Sequence, residues 1–265
     1  MGADVKQLRA RIKSVDSTMH LTGAMGLVAS SKIRKATSAM ERGREYRAAV
    51  EDTVTMLTSC PECQKSPYMS ITDGFDKLVV IAGDRGLAGG YNANVWRLMK
   101  EIGQTETVAI GKRALDRYKN GYASAEKFTG KNARELAEKL CEEFKQKKYA
   151  RLGIVSTKYL SMLTQEAVVE WILPLKKSDK KTECPIFEPD EETVLNNAVV
   201  TYVAGCIAAA VKESFASEVA ARKVAMDSAG KNAKKMIDEL SLKYNRARQG
   251  AITQEITEIV AGSGS

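Results

Sequence analysis

Histidine is almost missing: His20 is the only one in 265 residues. That excludes a multi-histidine metal site and leaves a single imidazole for acid–base work. Cysteine is sparse and odd in number. Cys60, Cys63, Cys141, Cys184 and Cys206 are spread along the chain, which argues for reduced thiols in a cytosol-like compartment and against a disulfide framework. Cys60-Pro61-Glu62-Cys63 has the spacing of a redox pair or of half a zinc site. No second pair or nearby histidine completes a tetrahedral set, so the motif reads as two thiols at a helix-to-loop junction, with a thiol switch as the alternative. No run of 18 to 20 uncharged apolar residues stands out, and residues 1–13 lack the apolar centre of a signal peptide, so the chain reads as soluble and intracellular. Paired catalytic carboxylates, a Ser/His/Asp set and a G-x-S-x-G elbow are also lacking. No metal or cofactor site is expected.

Hydrophobic residues make up 44% and charged residues 28% of the chain, too much apolar content for a disordered tail. Lysine and arginine total 41 against 33 aspartate and glutamate, a net charge of +8. Acidic partners are favoured, whether protein, nucleic acid or anionic membrane surface.

All five prolines, at 61, 67, 174, 185 and 189, lie in the middle. Proline breaks helix interiors, so two long proline-free arms are candidates for long helices. Alternating steps of three and four from Val5 to Leu57 give sixteen positions, twelve of them apolar, a heptad seam of the kind that buries against a partner helix. Thr22, Gly26, Gly43 and Arg47 interrupt it. The C-terminal arm has a fourfold-spaced row at Leu195, Val199, Val203, Ile207, Val211, Phe215 and Val219. An alternating seam follows at Met226, Ala233, Ile237, Leu240, Tyr244, Ala247 and Ala251. Helices over about 4–57 and 193–260 would reach roughly 80 and 100 Å, too long for one compact domain. Antiparallel pairing of the two arms satisfies both seams and inserts the middle of the chain as a head; a homodimeric coiled coil is the alternative.

In the middle, 77–83, 107–111, 152–157 and 166–173 read as strands, and 91–103, 111–120 and 131–148 as helices. The fold class is therefore α/β with long helices: a two-helix antiparallel coiled coil plus a central Rossmann-like α/β domain with a mainly parallel sheet. The expected divisions are 1–60, 61–189 and 190–265. Residues 176–189 read as a charged, proline-bearing loop, with Asp190 or Thr193 as N-cap of the last helix. The glycine-rich run Gly83-Asp-Arg-Gly-Leu-Ala-Gly-Gly90 matches neither G-x-G-x-x-G nor G-x-x-x-x-G-K-[ST], and reads as a strand-to-helix turn more than as a phosphate cradle.

Several stretches carry a family resemblance. They are Arg11–Val15, Thr22–Ala36, Asp84-Arg-Gly-Leu87 with Gly89-Gly-Tyr-Asn92, Glu213–Glu218, Ala220–Arg222, Ala225–Ala229, and above all Tyr244-Asn-Arg-Ala-Arg-Gln-Gly-Ala-Ile-Thr-Gln-Glu255 with Glu258–Gly262. Together they resemble the gamma-subunit family of F-type ATP synthases from end to end. The resemblance implies a noncatalytic rotor shaft inside a ring of alpha and beta subunits, with a head near the membrane that meets the c-ring and the epsilon subunit. It implies no cofactor, no metal, no nucleic acid and no direct small-molecule substrate. Residue by residue, it implies polar rotor–stator contacts at Arg248 and Gln249 and a contact at Met25. Basic charge at Lys32, Arg34 and Lys35 would face acidic stator loops, or form a solvated helix face. A bearing tip of Ile252, Ile256, Ile259 and Val260 and a c-ring foot at Tyr202 complete the set. It also implies a peripheral place on the cytoplasmic side of a bacterial membrane, or the mitochondrial matrix or plastid stroma if the start is processed.

The chain departs from the family pattern at Gly23 and Gly26, where a lysine and a glutamate are usual, and at Ala88, where a cysteine is common. It shows no chloroplast-like regulatory cysteine insertion. Gly262-Ser-Gly-Ser265 reads as natural fraying or an appended tail. Two other classes compete: a nucleotide-dependent enzyme using the α/β domain, and a basic coiled-coil nucleic-acid binder, which lacks interleaved aromatics.

Overall fold

A computed structural model describes residues 2–61, 63–70, 73–103, 105–178 and 186–263. Helix α1 spans Gly2–Ser59 and α5 spans Glu191–Ser263. Between them come two short 3-10 turns, then β1 (Asp76–Ile81), α2 (Tyr91–Ile102), β2 (Glu106–Ile110), α3 (Lys112–Tyr118), β3 (Gly121–Tyr122), α4 (Gly130–Lys145), β4 (Arg151–Tyr159) and β5 (Gln165–Leu173). Both proline-free arms are thus unbroken helices. None of the sixteen seam positions of α1 is exposed, and the two α5 rows are likewise buried or half-buried throughout.

The chain divides into two compact units, residues 1–30 with 223–265, and residues 31–222. In the first, α1 and α5 run antiparallel at close range. Gly26 lies against Met226 and Asp227, while Thr22, one turn earlier, lies against Gly230, one turn later. A Cβ at Gly26 or Gly230 would meet the facing helix at ordinary contact distance, 3.4 and 3.7 Å, so the two helices pack closely here. Pairing stops at Ala251, which is half-buried, and every described residue beyond it is exposed.

In the second unit a five-stranded sheet has the order β3-β2-β1-β4-β5. Strand β1 is parallel to β2 and β4, β2 is parallel to β3, and β4 and β5 are antiparallel. Successive strand residues face opposite sides. Leu78 and Val80 pack with Val95 and Met99 of α2. Val79 and Ile81 face the larger core, which holds Leu136, Leu140 and Phe144 of α4, Val54 and Leu57 of α1, and Leu195, Val199 and Val203 of α5. Burial on both faces explains the unbroken apolar run of β1. Within this unit too the long helices are antiparallel: Gly43 meets Ala209 and Lys212, whereas Gly205 meets Tyr46 and Val50.

Four strands match the sequence reading; β3, only two residues long, has too little periodicity to be seen there. Gly121 makes it possible. Its φ is +140°, and a Cβ would lie 1.9 Å from the Ala109 carbonyl oxygen, so no other residue fits. Asp190 caps α5, accepting the Thr193 N–H at 2.8 Å; Thr193 is the capped residue and not the cap. The reading that no membrane-length apolar run exists needs correction. A window of α5 has that length and hydropathy, with uncharged Asn and Thr among its apolar residues, and most of it is buried inside the protein. Cys60 and Cys63 are both buried just beyond α1. Burial pushes the Cys141 and Cys206 thiols up to about 12, so neither is a thiolate near neutrality. Glu62, Cys184, Pro185 and the final Gly264-Ser265 lie outside the described residues.

Two glycines give opposite expectations. Gly23 is exposed in a helix interior with no atom within 4 Å of a built Cβ, so Gly23→Ala should stabilise the helix by about 1 kcal/mol. Gly121→Ala should cost about 3 kcal/mol from strain and clash. Thermal unfolding followed by circular dichroism checks both, and an unchanged or lower midpoint for Gly23→Ala contradicts the first.

Candidate functional site

The loops that follow β1 and β4 leave the same end of the sheet. From β1 the chain crosses to β2 on one side, and α4 later returns it to β4 on the other. In open α/β sheets the crevice at such a reversal is where ligands bind. Here α5 fills it. Ser214 Oγ accepts the Thr157 N–H at 3.0 Å, and Ser217 Oγ donates to the Thr157 carbonyl at 3.1 Å. One turn on, Glu218 is buried beside Gly83, where a Cβ would lie 2.8 Å from the Glu218 carboxyl carbon. Arg222 bonds Glu218 and reaches the Gly86 carbonyl at 3.4 Å. Tyr91 is buried against the same cluster, beside Ser214 and Thr157. Burial raises the Glu218 carboxyl, partly offset by the bond and charge of Arg222.

The glycine-rich loop owes its composition to this helix. Gly83 leaves room for Glu218, whose carboxyl sits where a ligand would approach the loop, and the Gly83 N–H donates to Asn92 Oδ1 at 3.0 Å. Asp84 accepts from the amides of Lys112 at 3.2 Å, Ala125 at 2.8 Å and Glu126 at 3.2 Å, and from the Ser124 hydroxyl. The strand-to-helix-turn reading of this loop therefore holds. Among the described residues no group of three or more His, Cys, Asp or Glu is placed to hold a metal.

Polar ties join α1 to the same unit. Arg44 Nη2 lies 2.6 Å from Glu213 of α5 and 3.0 Å from the Tyr159 carbonyl, and Glu213 accepts the Tyr159 N–H. Arg47 and Lys158 share Glu170 at 2.6 and 2.8 Å. Lys32 Nζ is 2.6 Å from Glu126.

The residues singled out from the sequence fall into distinct settings. Arg248 and Gln249 are exposed on α5, and the turns after them carry Ile252, Ile256, Ile259 and Val260, between 47 and 69% exposed. Met25 is half-buried on α1. Arg34 and Lys35 are exposed, whereas Lys32 is half-buried and paired inside the chain. Tyr202 is buried, at 8% exposure. What sequence reasoning missed is the Asp84, Glu218 and Arg222 network. Its one visible signal is a charge at Glu218 and hydroxyls at Ser214 and Ser217 within a stretch otherwise patterned for burial.

Burial alone would raise the Glu170 carboxyl, but its bonds from Lys158 and Arg47 and their charges outweigh it and hold the group below the ordinary glutamate value. A depressed carboxyl stabilises the fold above the unfolded pKa, about 4.3, and that contribution disappears as pH falls through the lower native value. Glu170→Gln should therefore cost about 1–3 kcal/mol at pH 7, with the gap to the parent protein closing below about pH 4. Urea unfolding across pH tests this; a gap that stays constant into acid contradicts it.

A family model described as ATP synthase matches residues 4–265. An ATP synthase gamma chain from Ruminococcus albus is 39% identical, the match covering 98% of each chain. One from Acetobacterium woodii, named as sodium ion specific, is 35% identical over 99% of each. Among solved structures, a chain in a Euglena gracilis mitochondrial ATP synthase structure of OSCP, F1 and c-ring shares the fold with a TM-score of 0.71 and 18% identity. That match covers 98% of this chain and 94% of that one. A chain from the central stalk and c-ring of the Tetrahymena thermophila mitochondrial enzyme has a TM-score of 0.63 and 24% identity, over 79% and 99%. With agreement over nearly its whole length, this chain belongs to the family of ATP synthase gamma chains.

Proposed function

We infer that this chain is the central-stalk rotor subunit of a proton- or sodium-translocating F-type ATP synthase. The observation that carries the reading is its near full-length match to gamma chains. Its partners are the alpha and beta subunits, the epsilon subunit and the c-ring, and it is a noncatalytic, peripheral membrane subunit through the complex. Its bacterial relatives favour the cytoplasmic face of the cell membrane. Residues 1–60 and 190–265 supply the two helices and 61–189 the head. The occupied crevice above β1 and β4 supports placing nucleotide chemistry in other chains.

Coupling requires that the rotor contact different conformations of the beta subunits unequally, because a partner with equal affinity for two states shifts nothing. An asymmetric pair of helices meets that condition inside a threefold ring. Arg248 is free to grip a stator carboxylate bidentately, with Gln249 beside it; Met25, Arg34 and Lys35 extend the contact. Lys32 joins them only by exchanging its bond to Glu126. The exposed Ile252, Ile256, Ile259 and Val260 form a tip of non-directional contacts suited to turning in a collar. Tyr202 and its neighbours on α5 form the foot toward the c-ring, with Tyr202 itself contributing as a buried support.

The reading is tested at the level of assembly, of ATP binding and turnover, and of synthesis. The tagged chain should co-purify with alpha and beta subunits, and the isolated chain should neither bind nor hydrolyse ATP in calorimetry and turnover assays. Removing residues 249–265 should leave a complex that hydrolyses ATP but synthesises much less of it; full synthesis by that complex would refute the assignment of the tip.

A further inference from the structure

Two kinds of attachment hold the long helices to the α/β unit. Around Val54 and Leu57 of α1 and Leu195, Val199 and Val203 of α5 the contact is apolar, and apolar contacts are non-directional. At the other end of the sheet the attachment is polar: Ser214, Ser217, Glu213 and Arg44 bond the end of β4 directly, and a second set of ties runs through the loop after β1. On the α5 side, Glu218 packs against Gly83 and Arg222 reaches the Gly86 carbonyl at 3.4 Å, so Asp84 belongs to the loop that grips α5. Its side chain points the other way. Asp84 Oδ1 accepts from the amides of Lys112 and Ala125, and Oδ2 from the Glu126 amide and the Ser124 hydroxyl. Glu126, held in that turn, then pairs with Lys32 of α1.

We propose that Asp84 is a positioning residue for torque transfer. Its carboxylate clamps the turn at 124–126 to the loop that grips α5, and so locks both long helices to one end of the sheet. The role rests on the rotor reading above. A turning load pushes the helices sideways across the sheet end, and charge-assisted bonds with fixed direction resist such displacement better than apolar packing does. Four donors converge on one carboxylate, three of them from the 124–126 turn and one from the start of α3, which also donates the Arg113 N–H to the Gly83 carbonyl at 3.1 Å. Lys32 is part of this joint, which separates it from Arg34 and Lys35.

The test is Asp84→Asn in the assembled complex. The amide keeps the shape but turns an N–H group against one pair of donors. Amide exchange at Lys112, Ala125 or Glu126 should quicken about tenfold. ATP hydrolysis should persist, while ions pumped per ATP hydrolysed should fall. Val79→Ala, in the buried sheet core, is the comparator: it lowers stability without touching the clamp and should keep the parent pumping ratio. A parent-like ratio in Asp84→Asn, or an equal fall in Val79→Ala, overturns the proposal. Should Asp84→Asn fail to assemble, Glu126→Gln decides, since it cuts only the exposed tie to Lys32; a fall in the ratio below the parent value supports the clamp and an unchanged ratio overturns it. Failure of the unmodified chain to join alpha and beta subunits would instead remove the rotor reading itself.

Discussion

Helices of 58 and 73 residues are not held straight in water by propensity, because most helical stability in proteins comes from burying one face. Here the long helices bury their seams against one another and, at Val54, Leu57, Leu195, Val199 and Val203, against the α/β core, and the rest of the structure depends on that burial. It requires small residues at the contact. Gly43 and Gly205, in the second unit, let backbones approach where a larger side chain would hold them apart. Small residues contribute little apolar area each, and larger seam residues such as Leu8, Ile12, Met19, Ile33, Met40 and Leu240 supply the rest along the length of the helices. That suits a part that must be stiff along its axis and must also present most of its circumference to other surfaces.

In the α/β unit the problem is different. A three-layer arrangement needs both sheet faces covered, and α5 covers part of one face while also crossing the end of the sheet. There it places a buried carboxylate, Glu218, over Gly83 and pairs it with Arg222. Burying a charge is costly unless it is paired and hydrogen-bonded, and Arg222 meets that condition. Glu218, Ser214 and Ser217 thus take the position that a ligand takes in related sheet architectures. The same fold class that binds nucleotides elsewhere has become an attachment for a helix, which is why function had to be argued from the occupied site and not from the fold.

The gamma-chain assignment gives these attachments a purpose. A rotor must carry a load from one end of the molecule to the other without local unfolding, while its tip stays free of strong directional bonds. Polar ties concentrate on residues 31–222, at Lys32, Arg44, Arg47, Glu213, Glu218 and Arg222. The exposed end of α5 carries isoleucine and valine instead.

Periodicity along the chain determined the two long helices, the four longer strands and the helices between them, because those features depend on neighbours three or four residues apart, or two in a strand; it left Asp190 and Thr193 both open as the cap of α5. The end motifs, from Thr22 to Ala36 and Tyr244 to Glu255, were equally legible. Only the tertiary structure decided that α5 fills the sheet-end crevice, that Asp84 gathers donors from 28 to 42 residues away, that Lys32 has a partner 94 positions distant, and that Tyr202 is buried. Those contacts arise when packing brings remote segments together, and no local spacing encodes which polar group will meet which.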